Sequence, residues 1–443
     1  MPLNARHAAA LARARAENRP TCSGRVVAVE GLALHVRGLR VALGDTCVVR
    51  TARGVEVPAE VVGFQGDAAT LMPLGEREGI ACRDVVEQLG RPWRVPTGPA
   101  LLGRVVDALG RPLDGAPPPV GPERPLVAPP PAALSRPPIA QSLVTGVSAI
   151  DGFLTCGRGQ RLGIFAGSGV GKSTLLGSIA RASSADVNVI ALIGERGREV
   201  NEFLHDVLGP EGLARSVVVV STSDTAPMLR LKGALTAVTI AESFRDQGKD
   251  VLLVMDSITR LAFAAREIGL AAGEPPTLRG YPPSLFALLP ALVERLGTAA
   301  RGSITGLLTV LVDGDDFNEP VSDALRGYLD GHVVLSRDIA ARGRFPAIDV
   351  LASVSRVMDR VVGPAHAAAA RAVRRLIAHW QENRDLVAVG AYRKGSDPLL
   401  DEALAKLERI EELLYHGRQS RSFERTCELL GALAGAALLG GGS

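Results

Sequence analysis

A glycine-rich stretch at residues 166–174 constrains this chain more than any other feature. It reads Ala-Gly-Ser-Gly-Val-Gly-Lys-Ser-Thr and lies between an apolar run and a helix-forming stretch. The glycines let the backbone turn tightly enough to aim N–H groups at phosphate oxygens, and the following helix N-terminus adds partial positive charge. Lys172 supplies a charge to the terminal phosphates, and the Ser173 hydroxyl suits Mg²⁺. The setting predicts a P-loop that binds a nucleoside triphosphate with Mg²⁺.

The loop departs from the strict pattern at one position. Ala166 stands where that pattern begins with glycine, and a small alanine is tolerable at the end of a strand. The residues expected to contact the nucleotide are Gly167, Ser168, Gly169, Val170, Gly171, Lys172, Ser173 and Thr174.

Composition excludes several classes of protein. With 443 residues, 47% hydrophobic and 22% charged, the chain can bury a large core in two or three domains. The net charge of +3 arises from well-mixed residues, which argues against a nucleic-acid machine with a basic stripe. Its five cysteines form no CxxC pair, which favours a reducing cytosol. We expect neither a signal peptide nor a membrane-spanning helix, because no apolar run reaches about 18 residues.

The first third of the chain divides into three parts. Residues 1–21 predict a short basic helix, a candidate docking segment for a regulatory partner. Short valine-rich segments between glycine turns fill residues 22–95 and predict a closed β-barrel. Residues 96–140 are rich in proline, which cannot enter a central strand or a helix interior, so we expect an extended surface linker.

The rest of the chain predicts an α/β domain and a helical domain. Across residues 141–363, apolar strands alternate with helical stretches, which is typical of a mostly parallel sheet covered on both faces. Ligands of such sheets bind at the carboxyl ends of the strands. Residues 364–443 form a helical C-terminal domain in this interpretation, with an apolar stripe that runs from Leu400 to Leu414.

Charged residues follow two of the predicted strands. Asp256 ends an apolar strand and is a candidate for holding Mg²⁺ through water. Glu195 ends another and is a candidate for polarising the attacking water. Arg196 is then a candidate contact of the γ-phosphate, and Glu199 a candidate partner of magnesium-bound water.

Residues 344–356 complete the set of candidate site residues. Phe345 is a candidate for stacking on the adenine. Arg356 is a candidate arginine finger, which adds positive charge as the transition state forms.

Together these motifs resemble the family of rotary-type ATPases that includes the α and β subunits of ATP synthase. Residues 346–355 look like the family signature, and residues 194–199 match the glutamate motif of the catalytic subunit. Within the family, the chain is most similar to the export ATPases of flagella and type III secretion systems. That similarity is carried by residues 266–297, 309–320 and 329–341.

The resemblance implies a RecA-like P-loop core, preceded by a small β-barrel and followed by a helical C-terminal domain. It implies a homohexameric ring that is cytoplasmic and peripheral at the inner-membrane secretion apparatus. Implied partners are a stator or regulator at the N-terminus, a central stalk protein, the membrane export gate, and chaperones and export substrates at the C-terminal domain, without nucleic acid. The family's sites fall on Lys172, Ser173, Glu195, Arg196, Asp256, Arg260, Phe345 and Arg356.

Three other functions stay open at this point. A proton-coupled ATP synthase subunit is disfavoured by the short C-terminal region and by the segment at 273–284. A hexameric RNA or DNA translocase would need aromatic platforms in the barrel region, which offers only Phe64 and Trp93. An inactive structural subunit would not need Glu195. The sequence also leaves open whether the system is flagellar or an injectisome.

Overall fold

The computed structural model describes residues 22–312, 316–417 and 419–435. Residues 22–93 together with 267–274 form one unit, and the other described residues form a second. The predicted basic helix at 1–21 lies outside the described residues.

The first unit contains a closed antiparallel barrel. Its strands are β1 Ser23–Glu30, β2 Ala33–Arg37, β3 Thr46–Arg50, β4 Glu56–Gln65, β5 Ala68–Pro73 and β6 Val85–Gln88. Their order is β1-β2-β5-β4-β3-β6, and β6 pairs with β1 to close the ring. Alternate residues such as Val26, Val49 and Leu71 point inward and are buried. The barrel prediction is confirmed, although the short strand β6 was not predicted from sequence.

The second unit is built on a nine-stranded sheet with the order β19-β18-β12-β17-β15-β13-β14-β8, to which β16 adds through β17. Its strands are β8 Val105–Asp107, β12 Arg161–Ala166, β13 Val187–Ile193, β14 Ser216–Ser221, β15 Asp250–Asp256, β16 Gly297–Thr298, β17 Ser303–Leu311, β18 Gly331–Leu335 and β19 Ile348–Ser355. Smaller pairs are β7 Arg94–Pro96 with β9 Glu123–Pro125, and β10 Ser142–Leu143 with β11 Cys156–Gly157. Only β16 and β19 run antiparallel to their neighbours in the large sheet. The predicted mostly parallel sheet is confirmed.

Helices cover both faces of this sheet. They are α1 Ser148–Phe153, α2 Lys172–Ala182, α3 Gly197–Glu202, α4 Gly209–Ala214, α5 Pro227–Arg245, α6 Ile258–Ala271, α7 Pro283–Glu294, α8 Pro320–Tyr328, α9 Arg337–Ala341, α10 Met358–Val361, α11 Pro364–Ala388, α12 Pro398–Leu414 and α13 Phe423–Ala434. A π-helical turn at Phe203–Leu208 joins α3 to α4, and single 3₁₀ turns occur at Pro99–Leu101, Ala133–Ser135 and Leu278–Gly280.

The C-terminal helices α11–α13 share one apolar core with the helix that follows the P-loop. This core joins Leu176 and Ile179 of α2 to Val373, Ile410 and Leu430 of the C-terminal helices. A second core on the other sheet face is built mainly from α5, α6 and α7. Because side chains in a shared close-packed core move together, the C-terminal helices are mechanically continuous with the P-loop helix.

The proline-rich segment is fastened to the second unit through its carbonyl groups. Proline has no backbone N–H but keeps its C=O as an acceptor. Thr298 donates to the Pro137 carbonyl at 2.7 Å, and Arg295 donates to the Leu126 carbonyl at 2.8 Å. Residues 105–107, inside the stretch expected to be linker, instead form the edge strand β8. The three-residue strand is too short for its pattern to be recognised in sequence.

Among the described helices, none is both long enough and apolar enough to cross a bilayer. Residues 436–443 lie outside the described part of the chain.

A buried ion pair joins α5 to Arg295, the residue that follows α7. Arg295 donates to both carboxylate oxygens of Glu242, at 3.0 and 2.7 Å, and both side chains are about 95% buried. The same guanidinium also donates to Thr239 and to the Leu126 carbonyl. One arginine therefore binds three partners.

We expect Glu242→Ala to destabilise the second unit by about 3–5 kcal/mol, because Arg295 would keep a buried charge without its counter-ion. Asp359→Ala is the matched control, since its pair with Arg371 is exposed and is worth less than about 1 kcal/mol. Urea unfolding followed by circular dichroism measures both. Equal losses for the two variants would contradict the assignment.

Candidate active site

The P-loop has the strand–loop–helix form that its sequence predicts. Strand β12 ends at Ala166 and helix α2 begins at Lys172. Gly169 and Gly171 have φ angles of 80° and 88°, a region that side chains with a Cβ rarely adopt. These two positions therefore require glycine. Ala166 is buried in the strand end, where its methyl group is accommodated.

The remaining loop residues occupy different environments. Ser168 and Ser173 are exposed, Val170 is buried, and Thr174 is half-buried in the first turn of α2. The exposed Ser173 hydroxyl is free of the core and lies beside Lys172, as a ligand of a phosphate-bound cation requires.

Lys172 is the centre of a compact charged cluster. Its Nζ contacts Oδ1 of Asp256 and lies 3.5 Å from Oε1 of Glu195. Asp256 ends β15 and Glu195 follows β13, and these two strands are neighbours in the sheet. The three side chains predicted from separate motifs thus meet at one edge, because the carboxyl ends of parallel strands coincide.

Thr309 is a member of this cluster that sequence analysis missed. Its hydroxyl donates to Oδ1 of Asp256 at 2.8 Å from the adjacent strand β17. Asp256 is almost fully buried, so this bond orients a carboxylate that has little access to water. A single threonine inside an apolar strand gives no sequence signal for such a role.

The cluster shifts the protonation equilibria of its members. Burial disfavours the charged Lys172, but Asp256 and Glu195 outweigh it and keep the pKa of Lys172 above its usual value. Burial also raises the pKa of Glu195 to about 7, with a further rise from Asp256 that Lys172 opposes. A carboxylate with a pKa close to the working pH is well suited to accept a proton from water.

The segment after Glu195 contributes two charged side chains of different exposure. Arg196 is 77% exposed and lies 3.8 Å from Glu199, which is itself only partly covered. Glu199 lies near enough to Glu195 to favour the protonated form of that carboxyl group. Glu199 therefore belongs to the acidic side of the site, whereas Arg196 points to solvent in this chain.

Arg260 lies against the loop that carries Glu195. Gly194 has a φ of 73°, and a Cβ there would lie 2.7 Å from Cβ of Arg260. Among the described residues, no acceptor reaches the buried Nε of Arg260. A guanidinium with unused donor capacity at this edge is consistent with the predicted role in phosphate binding.

Phe345 borders an apolar pocket beside the P-loop. The ring of Phe345 lies close to Gly171: a Cβ added to that glycine would be 3.3 Å from the nearest ring atom. The pocket measures about 340 Å³, and its walls include Phe345, Val147, Pro346 and His416. Phe345 is 39% exposed, so its ring is accessible to a flat ligand. An aromatic face, small apolar walls and a phosphate cradle at one end suit a nucleotide base.

Arg356 does not reach the P-loop of its own chain. It follows β19, whose last residue Ser355 pairs with Gly331 at the start of β18. The P-loop follows the opposite end of the neighbouring strand β12. Arg356 is exposed, and its backbone N–H donates to Asp330. Its guanidinium donates to the Arg326 carbonyl at 3.2 Å, at the edge of the sheet opposite to the P-loop.

The oxygen atoms beside the P-loop suit a Mg²⁺ ion that enters the site bound to the nucleotide. Within the described residues, no three His, Cys, Asp or Glu side chains form a ready metal cage. Magnesium in phosphate sites keeps several waters and takes one or two protein oxygens plus substrate phosphates. The Ser173 hydroxyl and the Asp256 and Glu199 carboxylates are oxygen ligands of that kind.

Comparison with known proteins identifies two family domains in the chain. The nucleotide-binding domain of the ATP synthase alpha/beta family matches residues 146–355. The C-terminal domain of the type III secretion ATPase EscN matches residues 362–432.

Whole-length relatives and solved structures agree with these matches. The type 3 secretion system ATPase of Xanthomonas euvesicatoria is 51% identical over 410 residues, 92% of this chain and 93% of the relative. The flagellum-specific ATP synthase of Salmonella typhimurium is 52% identical over 407 residues, 89% of each chain. The assembled ATPase EscN of enteropathogenic E. coli superposes with a TM-score of 0.88 at 45% identity, covering 93% of this chain and 100% of that one. With such identity over nearly its whole length, the chain belongs to the flagellar and type III secretion ATPases of the ATP synthase alpha/beta family.

Proposed function

We propose that this protein hydrolyses ATP to ADP and phosphate and so energises protein export through a flagellar or type III secretion apparatus. One observation carries the proposal: Lys172 of the P-loop lies between Asp256 and Glu195 at the carboxyl edge of the sheet. A cation, a metal-binding carboxylate and a carboxylate base are the parts that phosphoryl transfer to water needs.

The cluster suggests how each residue acts on Mg–ATP. Lys172 exchanges its carboxylate partners for the β- and γ-phosphates as the nucleotide enters the loop. Ser173, Asp256 and Glu199 would supply oxygen ligands to Mg²⁺ or to its waters when the metal enters with the nucleotide. Glu195, with its raised pKa, orients the attacking water and accepts its proton. Arg260 adds positive charge near the γ-phosphate, and Arg196, which is exposed in this structure, would turn towards the nucleotide when it binds.

Arg356 completes the site of a neighbouring copy in this proposal. One chain carries both Glu195 and Arg356, so a homohexameric ring has a complete site at every interface. The relative EscN has been solved as an assembled ATPase and also in complex with its central stalk EscO, the latter with a TM-score of 0.86 to this chain. These structures support a ring and a central stalk partner for this protein too.

The other partners and the location follow from the same membership. We infer a cytoplasmic protein, peripheral at the inner-membrane export gate. Export chaperones and substrates would meet helices α11–α13, and a stator or regulator would meet the N-terminal segment.

The alternatives considered from sequence receive less support. Flagellar and type III secretion proteins are the relatives that match nearly the full chain. In the barrel, Phe64 is exposed but Trp93 is half-buried, which is a poor platform for stacking nucleic-acid bases.

We expect Glu195→Gln to bind ATP while its turnover falls by about 10²–10⁴-fold, because the amide cannot accept the proton from water. Phosphate release and equilibrium binding of ATP are the two measurements. Glu202→Gln is the matched control, since Glu202 is an exposed residue of α3 that pairs only with Arg198 among described contacts. Turnover of Glu195→Gln within threefold of wild type would remove Glu195 from the mechanism.

Mixing two inactive variants tests whether Arg356 acts in the neighbouring copy. Lys172→Ala and Arg356→Ala should each lose about 10³-fold or more in turnover as pure rings. A random equal mixture places an intact Lys172 beside an intact Arg356 at about a quarter of the interfaces, so activity should return towards that fraction. The control mixes Arg356→Ala with the variant that carries both Lys172→Ala and Arg356→Ala. This mixture contains no intact Arg356 and should stay inactive. Absence of recovery in the first mixture would place Arg356 outside the neighbour's site.

Phe345→Ala should weaken ATP binding by about three- to tenfold, the loss of one aromatic stacking contact. Binding of inorganic tripolyphosphate, which has no base, should change by less than twofold. Competition against a fluorescent nucleotide measures both ligands. An equal loss for both would mean that Phe345 supports the loop and does not contact the base.

A further inference from the structure

The P-loop is held at both ends by one connection, the segment between β18 and β19. At the far end, the ring of Phe345 lies against Gly171. At the near end, the guanidinium of Arg337 lies against Gly167. A Cβ added to Gly167 would lie 2.5 Å from Nε and 2.6 Å from Nη2 of Arg337. By contrast, nothing lies within 4 Å of a Cβ on Gly169 at the middle of the loop.

The near end of the loop is also fixed from the opposite side. Strand β12 lies between β17 and β18. After β17, the Val312 N–H donates to the Ala166 carbonyl at 3.0 Å. After β18, Arg337 covers the next residue, Gly167. The point where the strand becomes the loop is therefore clamped between its two neighbours in the sheet.

We propose that Arg337 is a positioning residue of the phosphate cradle. Its guanidinium fixes the backbone at Gly167, so that the following N–H groups already point at the phosphates before the nucleotide arrives. This inference rests on the proposed ATP-binding function of the loop and gives a role to a residue that was not among the predicted site residues.

The physical basis is preorganisation of a glycine-rich loop. Glycine has the largest conformational freedom of any residue, so an unsupported loop must lose that freedom when the ligand binds. A guanidinium packed against Gly167 limits this freedom in advance, and a loop that is already ordered binds its ligand more tightly. The charge of Arg337 also adds to the positive potential at the cradle.

Gly167 offers a second way to remove the same contact. Its φ lies outside the left-handed region, so alanine can adopt the backbone conformation. The clash of its new methyl group would be with the far end of a flexible side chain, so the Arg337 guanidinium would have to turn away from the loop. Gly167→Ala thus displaces the guanidinium without deleting it.

The test is a double-mutant cycle on nucleotide affinity in the full-length protein. Arg337→Ala and Gly167→Ala should each weaken binding of a fluorescent ADP–Mg²⁺ probe by about tenfold. The double variant should bind no more weakly than either single variant, because both changes remove one contact. In Arg337→Ala, KM for ATP should rise in parallel while kcat changes by less than about threefold. Arg337→Lys, which keeps the charge but not the planar group, should fall between wild type and alanine.

Arg342→Ala is the matched control, because it removes an exposed arginine from the end of α9, away from Gly167. Its nucleotide affinity should stay within twofold of wild type. The proposal would be overturned if Arg337→Ala bound nucleotide as tightly as wild type. It would also be overturned if the losses of the two single variants multiplied in the double variant. Neither result would contradict the proposed ATP hydrolysis. If Arg337→Ala fails to fold, Gly167→Ala alone decides: unchanged affinity overturns the proposal. A wild-type protein that binds no nucleotide would overturn both this inference and the proposed function.

Discussion

The contact of Lys172 with two carboxylates depends on almost every other feature of the fold. A buried lysine between Asp256 and Glu195 is stable only if both acids are held rigidly. The sheet provides this rigidity, because Asp256 ends one central strand, Glu195 follows its neighbour, and Thr309 on the next strand orients Asp256. The same arrangement leaves Lys172 ready to exchange carboxylates for phosphates. The same three charged side chains therefore stabilise the fold and carry the predicted chemistry.

The second organising element is the connection between β18 and β19. It contributes Arg337 to one end of the P-loop and Phe345 to the other. Its backbone is also tied to the C-terminal part, since the Gly417 N–H donates to the Phe345 carbonyl at 2.8 Å. Because α11–α13 share a core with α2, two separate routes connect the C-terminal helices to the nucleotide site. A protein that meets partners at those helices would gain a direct way to influence its P-loop.

Sequence predicted the fold well where the pattern was long and local. The apolar strands of the central sheet were recognised because they alternate with helical stretches, and the barrel because its short valine-rich segments are separated by glycine turns. It failed at β6 and β8, which have four and three residues. Strands that short carry no periodicity of their own, and they exist because long neighbouring strands offer unpaired backbone groups. The proline-rich stretch was predicted as an extended surface linker. Its composition did not indicate that carbonyl groups along it accept hydrogen bonds from Arg295 and Thr298.

By itself, the sequence determined the phosphate cradle, its cation and its candidate acids, because glycine spacing and strand-end carboxylates are local chemical patterns. Only the tertiary structure decided which of these groups meet. It brought Asp256 and Glu195 to Lys172 and left Arg196 in solvent. It put Arg356 beside the start of β18, at the edge of the sheet opposite to the P-loop. It also added Thr309 and Arg337, whose roles arise solely from the strand order. The physical reason is that side-chain contacts across a parallel sheet depend on which strands are neighbours, and that order is fixed by packing over the whole core and not by any short segment.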